Sequence, residues 1–179
     1  HGALNEADRL LSMFDAVLRI ARIESGAQQL RRQEIDVSRV LHDVFELYEP
    51  VAEDRGLTLH FGVEGTLRAN VDPELLFQAF GNVVENAIKY TPLGGQIMLA
   101  AQHDAHGIHV LVKDTGPGVP EADRERVFGR FHRLEASRST PGNGLGLSLV
   151  AAIMAMHGGS TELEENQPTG LVVRLILPD

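Results

Sequence analysis

Two asparagines and a lysine recur at helical spacing, and their side chains are of the types that can hold a metal–phosphate group. Asp72 can cap a helix and Pro73 suits its first turn. At about 100° per residue, Asn82 and Asn86 then lie one turn apart on one face, and Lys89 follows one turn after Asn86. Asparagine is a poor mid-helix residue, so this face is either a solvated surface or a set of amide oxygens and one ammonium group aimed at a metal–phosphate group. The other face is apolar and predicts burial: Leu76, Phe77, Phe80, Val83, Val84, Ala87 and Ile88.

A carboxylate follows a predicted strand at Asp114-Thr115-Gly116-Pro117-Gly118. The segment could be a simple turn. As a binding site, it offers a carboxylate to the exocyclic amine of adenine, and the neighbouring glycines leave room for a flat ring. Guanine carries a carbonyl oxygen at that position, which would leave two acceptors unpaired. The segment therefore predicts adenine over guanine.

A glycine-rich turn, Gly142-Asn143-Gly144-Leu145-Gly146-Leu147, opens the last predicted helix. Its backbone amides and the helix N-terminus could cradle phosphates. The spacing is not that of a dinucleotide fingerprint. It is not a P-loop either, because the two lysines of the chain, Lys89 and Lys113, do not follow a glycine.

The composition suits one domain with an appendage. The chain has 179 residues, of which 43% are hydrophobic, and it carries 25 acidic against 16 basic residues, for a net charge of −9. That charge argues against nucleic acid as a partner. The absence of cysteine excludes disulfides and cysteine metal sites. The longest apolar helix candidate, Leu145 to Met156, is too short to span a bilayer.

The periodicity predicts helices and strands in loose alternation, which indicates an α/β two-layer sandwich with a mixed β-sheet. Residues 3–25 read as an amphipathic helix that starts at the first residues, so we expect the chain to be part of a longer protein. We favour half of a helical hairpin, the alternative being a helix packed on its own domain. The other predicted helices are 36–55, 72–90 and 145–157, and the predicted strands are 30–35, 57–61, 67–71, 96–103, 108–113, 160–164 and 171–177.

Taken in order, these motifs resemble the N, G1, F and G2 boxes of the GHKL superfamily, with Phe128 and Phe131 as the F box. More narrowly, the chain resembles the catalytic and ATP-binding domain of a sensor histidine kinase. The resemblance covers residues 28–179, and residues 18–26 are similar to the end of that family's second dimerisation helix. It implies a Bergerat-type sandwich at 28–179, a partial dimerisation helix at 1–27, and a mobile lid at about 116–143.

The resemblance also implies residue roles for ATP and Mg²⁺. Asn86 would be a magnesium ligand supported by Asn82, Lys89 would neutralise phosphate charge, and Asp114 would hold adenine. Arg133 is the candidate lid cation near the γ-phosphate, with Arg130 and Arg138 as rivals. The remaining implied nucleotide-binding residues are Tyr90, Gly116, Gly118, Phe128, Phe131, Gly142, Gly144, Leu145, Gly146 and Leu147, and Gly170 is a weak match to a last glycine box.

Hydrolases of the superfamily place a glutamate where this chain has Asn82, and that glutamate is the base for water. Glu85 lies about 100° around the helix from Asn86. We therefore expect a kinase that donates the γ-phosphoryl to a histidine on its own dimerisation domain, for relay to a response-regulator receiver domain. His42 precedes an acidic residue, as the phosphoacceptor of the family does, but its place inside the catalytic domain argues against that role. The chain should then bind Mg-ATP without labelling itself.

The resemblance further implies a homodimeric, membrane-anchored parent with this part in the cytoplasm, and no contact of this part with membrane or nucleic acid. Two alternatives stay open: a serine-kinase anti-sigma relative of the same fold, and an interaction module that has lost nucleotide.

Overall fold

The computed structural model describes residues 2–131 and 144–179, and its elements follow the predicted order. The helices are α1 (Gly2–Glu24), α2 (Val37–Asp54), α3 (Pro73–Tyr90) and α4 (Gly146–Met156), with short 3-10 turns at Glu121–Asp123 and Arg126–Phe128. The strands are β1 (Gln33–Asp36), β2 (Thr58–Val63), β3 (Arg68–Val71), β4 (Gln96–Asp104), β5 (Gly107–Asp114), β6 (Ser160–Glu165) and β7 (Leu171–Leu177). The α/β class is confirmed.

The main sheet is mixed, as predicted. Its five strands lie in the order β2-β4-β5-β7-β6, with β2 parallel to β4 and the other pairs antiparallel. Strands β1 and β3 form a separate two-stranded sheet. Helices α2, α3 and α4 pack on the main sheet. Apolar residues of the helices and the sheet form one buried core that includes Phe80, Leu99, Val110, Ile153 and Leu175.

Helix α3 is fixed at its start and along its length. The Asp72 carboxylate accepts the Leu75 N–H at 3.2 Å, which caps the helix, and the Arg31 N–H at 2.8 Å. The predicted apolar face is buried apart from the half-buried Phe77. A Cβ on Gly81 would come within 3.3 Å of the Tyr48 ring of α2, so the two helices approach closely there.

His157 joins the end of α4 to the start of α3. Its Nδ1 donates to the Ile153 carbonyl at 2.8 Å, and its Nε2 accepts the Asp72 N–H at 3.0 Å. These two bonds require a neutral imidazole. Burial lowers the pKa of His157, with the Arg32 charge acting in the same direction, while the Ile153 hydrogen bond and Asp72 oppose the shift.

The two ends of α1 differ in environment. Near its C-terminal end, Ile20 and Ile23 are buried, and the helix contacts α4. Further towards the N-terminus, Leu10, Leu11 and Phe14 are exposed. The predicted hairpin partner therefore stays a prediction. Across the part of the chain described, every helix is too short or too polar to cross a membrane.

Candidate functional site

The polar face of α3 lies between the start of α4 and the end of β5. Asn82, Asn86 and Lys89 are all half-buried on this helix. The Asn82 Oδ1 atom lies 3.9 Å from the position that a Cβ on Gly146 would take. The Lys89 Nζ atom lies 4.8 Å from the centre of the Tyr90 ring, within cation–π range. The middle of α3 is thus beside the N-terminus of α4.

The end of α3 meets the Asp114 loop (residues 114–118). A Cβ on Gly116 would lie 3.0 Å from the Asp114 Oδ1 atom and 3.1 Å from the Tyr90 carbonyl oxygen. Asn82 and Tyr90 are separated by about 12 Å along the helix axis, with Asn86 midway. The structure therefore brings the carboxylate and the amide-bearing face to one side of the fold.

Asp114 is oriented by backbone donors. Its side chain is buried, with 6% of the residue exposed. The Oδ1 atom accepts the Gly116 N–H at 2.8 Å and the Leu171 N–H at 3.3 Å, and Oδ2 accepts no hydrogen bond from the residues that the structure describes. Burial raises the pKa of Asp114 above its usual range, although both backbone hydrogen bonds act to lower it. One oxygen is thus committed to the fold, and the other is left for a donor such as an exocyclic amine.

The N-terminus of α4 has the features of an anion site. Gly144 has a φ of 67°, and Leu145 at the N-cap makes no side-chain capping hydrogen bond. The first amides of the helix therefore lack a side-chain partner from the cap residue. The side chains of Leu145 and Leu147 are buried in the core, so a ligand would meet these two residues through their backbone. Gly142 and Asn143 lie outside the described residues.

The two aromatic residues of the predicted lid differ. Phe128 is half-buried against the core, whereas Phe131 is 53% exposed and has a φ of 58°. Packing therefore supports an anchoring role for Phe128 and not for Phe131. Among the candidate lid cations, Arg130 forms an ion pair with Glu24 of α1, and Arg133 and Arg138 lie outside the described residues.

Glu85 lies on the side of α3 that faces α2. It shares a helix face with Gly81, one turn earlier, and Gly81 contacts the Tyr48 ring. Burial raises the pKa of the Tyr48 phenol, and the negative charge of Glu85 contributes a smaller shift in the same direction. This acidic group lies about 60° around the helix from Asn82 on the α2 side, and about 100° from Asn86. His42 lies on the exposed part of α2, where its ring packs edge-on against Phe61.

The β6–β7 turn (residues 166–170) was missed by sequence reasoning except for Gly170. The Asn166 Nδ2 atom donates to the Asp114 carbonyl at 2.7 Å, and the Thr169 hydroxyl donates to the Gly116 carbonyl at 3.1 Å. The available signal was a turn-type Asn-x-Pro-Thr-Gly segment between two strands. Such a segment does not indicate what the turn contacts.

Known proteins resemble this chain in sequence over most of its length. Residues 71–179 match the family described as histidine kinase-, DNA gyrase B- and HSP90-like ATPase. The chain is 35% identical over 164 residues to the probable sensor protein PcoS of Escherichia coli, a match that covers 90% of this chain and 35% of that protein. It is 30% identical over 177 residues to the sensor-like histidine kinase SenX3 of Mycobacterium tuberculosis (strain H37Rv), covering 98% and 43% respectively. The chain thus spans less than half the length of these relatives.

Solved structures resemble it as well. Full-length ShkA in complex with AMPPNP superposes with a TM-score of 0.84 at 31% identity, covering 99% of this chain and 37% of that chain. The nucleotide-free catalytic domain of the histidine kinase ThkA gives a TM-score of 0.74 at 27% identity, covering 84% and 98%. The resemblance drawn from the four boxes is therefore confirmed. The chain belongs to the histidine kinase-, DNA gyrase B- and HSP90-like ATPase family, and within it to the sensor histidine kinases.

Proposed function

We propose that this chain is the ATP-binding, phosphoryl-donating part of a sensor histidine kinase. It transfers the γ-phosphoryl of ATP to a histidine on the dimerisation domain, which relays it to an aspartate of a response-regulator receiver domain. The observation that carries the proposal is the placement of α3 between the Asp114 loop and the N-terminus of α4. A nucleoside triphosphate lying along α3 would meet a carboxylate at its base end and the backbone amides of the α4 N-terminus at its phosphate end.

The residues on the polar face of α3 fit a magnesium–triphosphate group. Mg²⁺ prefers oxygen ligands and keeps several waters, so the amide oxygen of Asn86 would be its protein ligand, with Asn82 one turn away to support it. The ion, when bound, would neutralise phosphate charge. Lys89 adds a positive charge on the same face, and Tyr90 lines the nucleotide. Arg133, which we propose for the γ-phosphate, would act with Lys89 in transfer.

The arrangement favours transfer to a protein over hydrolysis. Asn82 cannot accept a proton at neutral pH, and Glu85 lies about 100° around the helix from Asn86. Phosphoryl transfer relies mainly on positioning and charge neutralisation. A site without a base for water can hold ATP until a histidine side chain arrives.

The division of the chain follows from the same proposal. Residues 1–27 would belong to the dimerisation domain, and residues 28–179 would form the catalytic domain with its lid at about 116–143. The exposed apolar residues of α1 suit a helix that pairs within a homodimer. The parent would be anchored in the membrane, with this part in the cytoplasm.

Calorimetric titration with Mg-ATP, with hydrolysis and self-labelling by γ-labelled ATP measured in parallel, tests the proposal. We expect saturable binding of one nucleotide, slow hydrolysis and no label on the chain itself. The full-length parent should be labelled on histidine under the same conditions. Rapid hydrolysis, label on this chain, or no nucleotide binding at all would each overturn the proposal, and the last would favour an interaction module.

A further inference from the structure

We propose that Asn166, in the β6–β7 turn, is a positioning residue for purine recognition by Asp114. The inference rests on the proposed function, because it assigns the base end of the same site. The Asn166 side chain lies 52 residues away from Asp114 in sequence and donates to its main-chain carbonyl at 2.7 Å. It does not itself reach the free oxygen of the carboxylate, so its effect on the base passes through Asp114.

The hydrogen-bond pattern explains why such a residue is needed. The described ladder between β5 and β7 ends at the Lys113–Val172 pair. Beyond that pair, the Leu171 N–H donates to the Asp114 carboxylate at 3.3 Å. The Asp114 carbonyl is therefore held by a side chain, and Asn166 supplies it. The two bonds together set both the backbone and the carboxylate of Asp114.

The Asn166 amide is itself fixed in direction. The Asn166 Oδ1 atom accepts the backbone N–H of Gln167 at 3.0 Å, and the backbone N–H of Asn166 donates to the Gly170 carbonyl at 3.0 Å. Because Oδ1 faces a donor, Nδ2 is the group that faces the Asp114 carbonyl. Because hydrogen bonds within the turn fix both the side chain and the backbone of Asn166, its Nδ2 group holds the Asp114 carbonyl rigidly.

Close packing joins the turn to the Asp114 loop. Gly170 has a φ of 122°, and a Cβ there would lie 1.8 Å from the Asp114 carbonyl oxygen. A Cβ on Gly118 would lie 2.8 Å from the Gly170 carbonyl oxygen. With the Thr169 hydroxyl on the Gly116 carbonyl, two carbonyls of the loop each receive a donor from the turn. The turn therefore sets where the second carboxylate oxygen of Asp114 points.

The test is base discrimination, measured as the ratio of the dissociation constants for Mg-ITP and Mg-ATP. ITP has a carbonyl where ATP has the exocyclic amine, so the two nucleotides differ at the group that Asp114 is proposed to bind. Asn166→Asp keeps the acceptor for the Gln167 N–H and replaces the donor to Asp114 by an oxygen, which repels the Asp114 carbonyl. Its added negative charge acts on both triphosphates alike and therefore cancels in the ratio. We expect the preference for ATP over ITP to fall about three- to tenfold, through weaker ATP binding, from the loss of one hydrogen bond.

Two further variants complete the design. Thr169→Val removes the second donor independently and should lower the same preference by a smaller factor, so the proposal stays testable even if Asn166→Asp fails to fold. Gln167→Ala, an exposed neighbour in the same turn, is the matched control and should keep the wild-type ratio.

A purely structural role would weaken ATP and ITP equally or lower only the melting temperature. That result, or an unchanged ratio in both variants, would overturn the proposal while leaving the proposed function intact. A wild-type chain that binds neither nucleotide would instead overturn the proposed function and this inference with it.

Discussion

Replacing Asp114 by asparagine should invert the preference of the site between a 6-amino and a 6-oxo purine. The carboxylate Oδ1 accepts two backbone N–H groups, from Gly116 and Leu171. An asparagine at this position will keep its amide oxygen there, since an NH₂ group would face two donors. Its NH₂ group then replaces Oδ2, the oxygen left for the base, and a donor stands where the adenine amine also donates.

The magnitude follows from the bond that is lost. A hydrogen bond to a charged group contributes about 1.5–3 kcal/mol, which corresponds to about a 10- to 150-fold weaker Kd for ATP. ITP offers a carbonyl to the new donor, so its Kd should be unchanged or lower. The stability of the fold should change little, because both backbone donors keep their acceptor.

Calorimetry with Mg-ATP and Mg-ITP on the wild type and Asp114→Asn measures the effect, with Asp43→Asn on the exposed part of α2 as the control. A second readout is pH. Because burial raises the pKa of Asp114, ATP affinity of the wild type should fall on acidification at a pH above the ordinary aspartate value of about 3.9. The asparagine variant should lack this component. Equal weakening of ATP and ITP, or no change in either, would refute the assignment of Asp114 to the base.

Three further outcomes follow from the packing and charge of the fold. The unfolding free energy should fall as pH drops below about 6.5, because the unfolded His157 then binds a proton that the folded residue, with its lowered pKa, resists. In urea unfolding measured at several pH values, the unfolding free energy of His157→Gln should depend less on pH in this range. Phe80→Ala should cost about 3–5 kcal/mol of stability in urea unfolding, since Phe80 is fully buried, whereas a loss below about 0.5 kcal/mol is expected for the exposed Phe131→Ala. Glu85→Gln should leave the slow ATP hydrolysis rate unchanged in a phosphate-release assay, and a marked fall would show that Glu85 activates water.

Local patterns were sufficient to predict the helices and strands and to place the polar motifs along them. Each of these patterns lies within one short segment, because capping and helical periodicity involve residues a few positions apart. Examples are the Asp72 cap, the apolar face of α3 and the glycine-rich start of α4. The order of the motifs then identified the family. The 3-10 turns at Glu121–Asp123 and Arg126–Phe128 carried no period and were not predicted.

The sequence by itself thus determined which residues offer a carboxylate, amide oxygens and the backbone amides of a helix N-terminus. Only the tertiary structure decided how they are aimed. Helix α2 packs closely on α3 at Gly81, so that the charge of Glu85 acts on Tyr48, and the side chains of Leu145 and Leu147 enter the core. The direction of Asp114 depends on Asn166 and Leu171, which lie 52 and 57 residues further along the chain. Contacts at that separation depend on how strands and helices assemble, so they cannot be predicted from the spacing of residues within one segment.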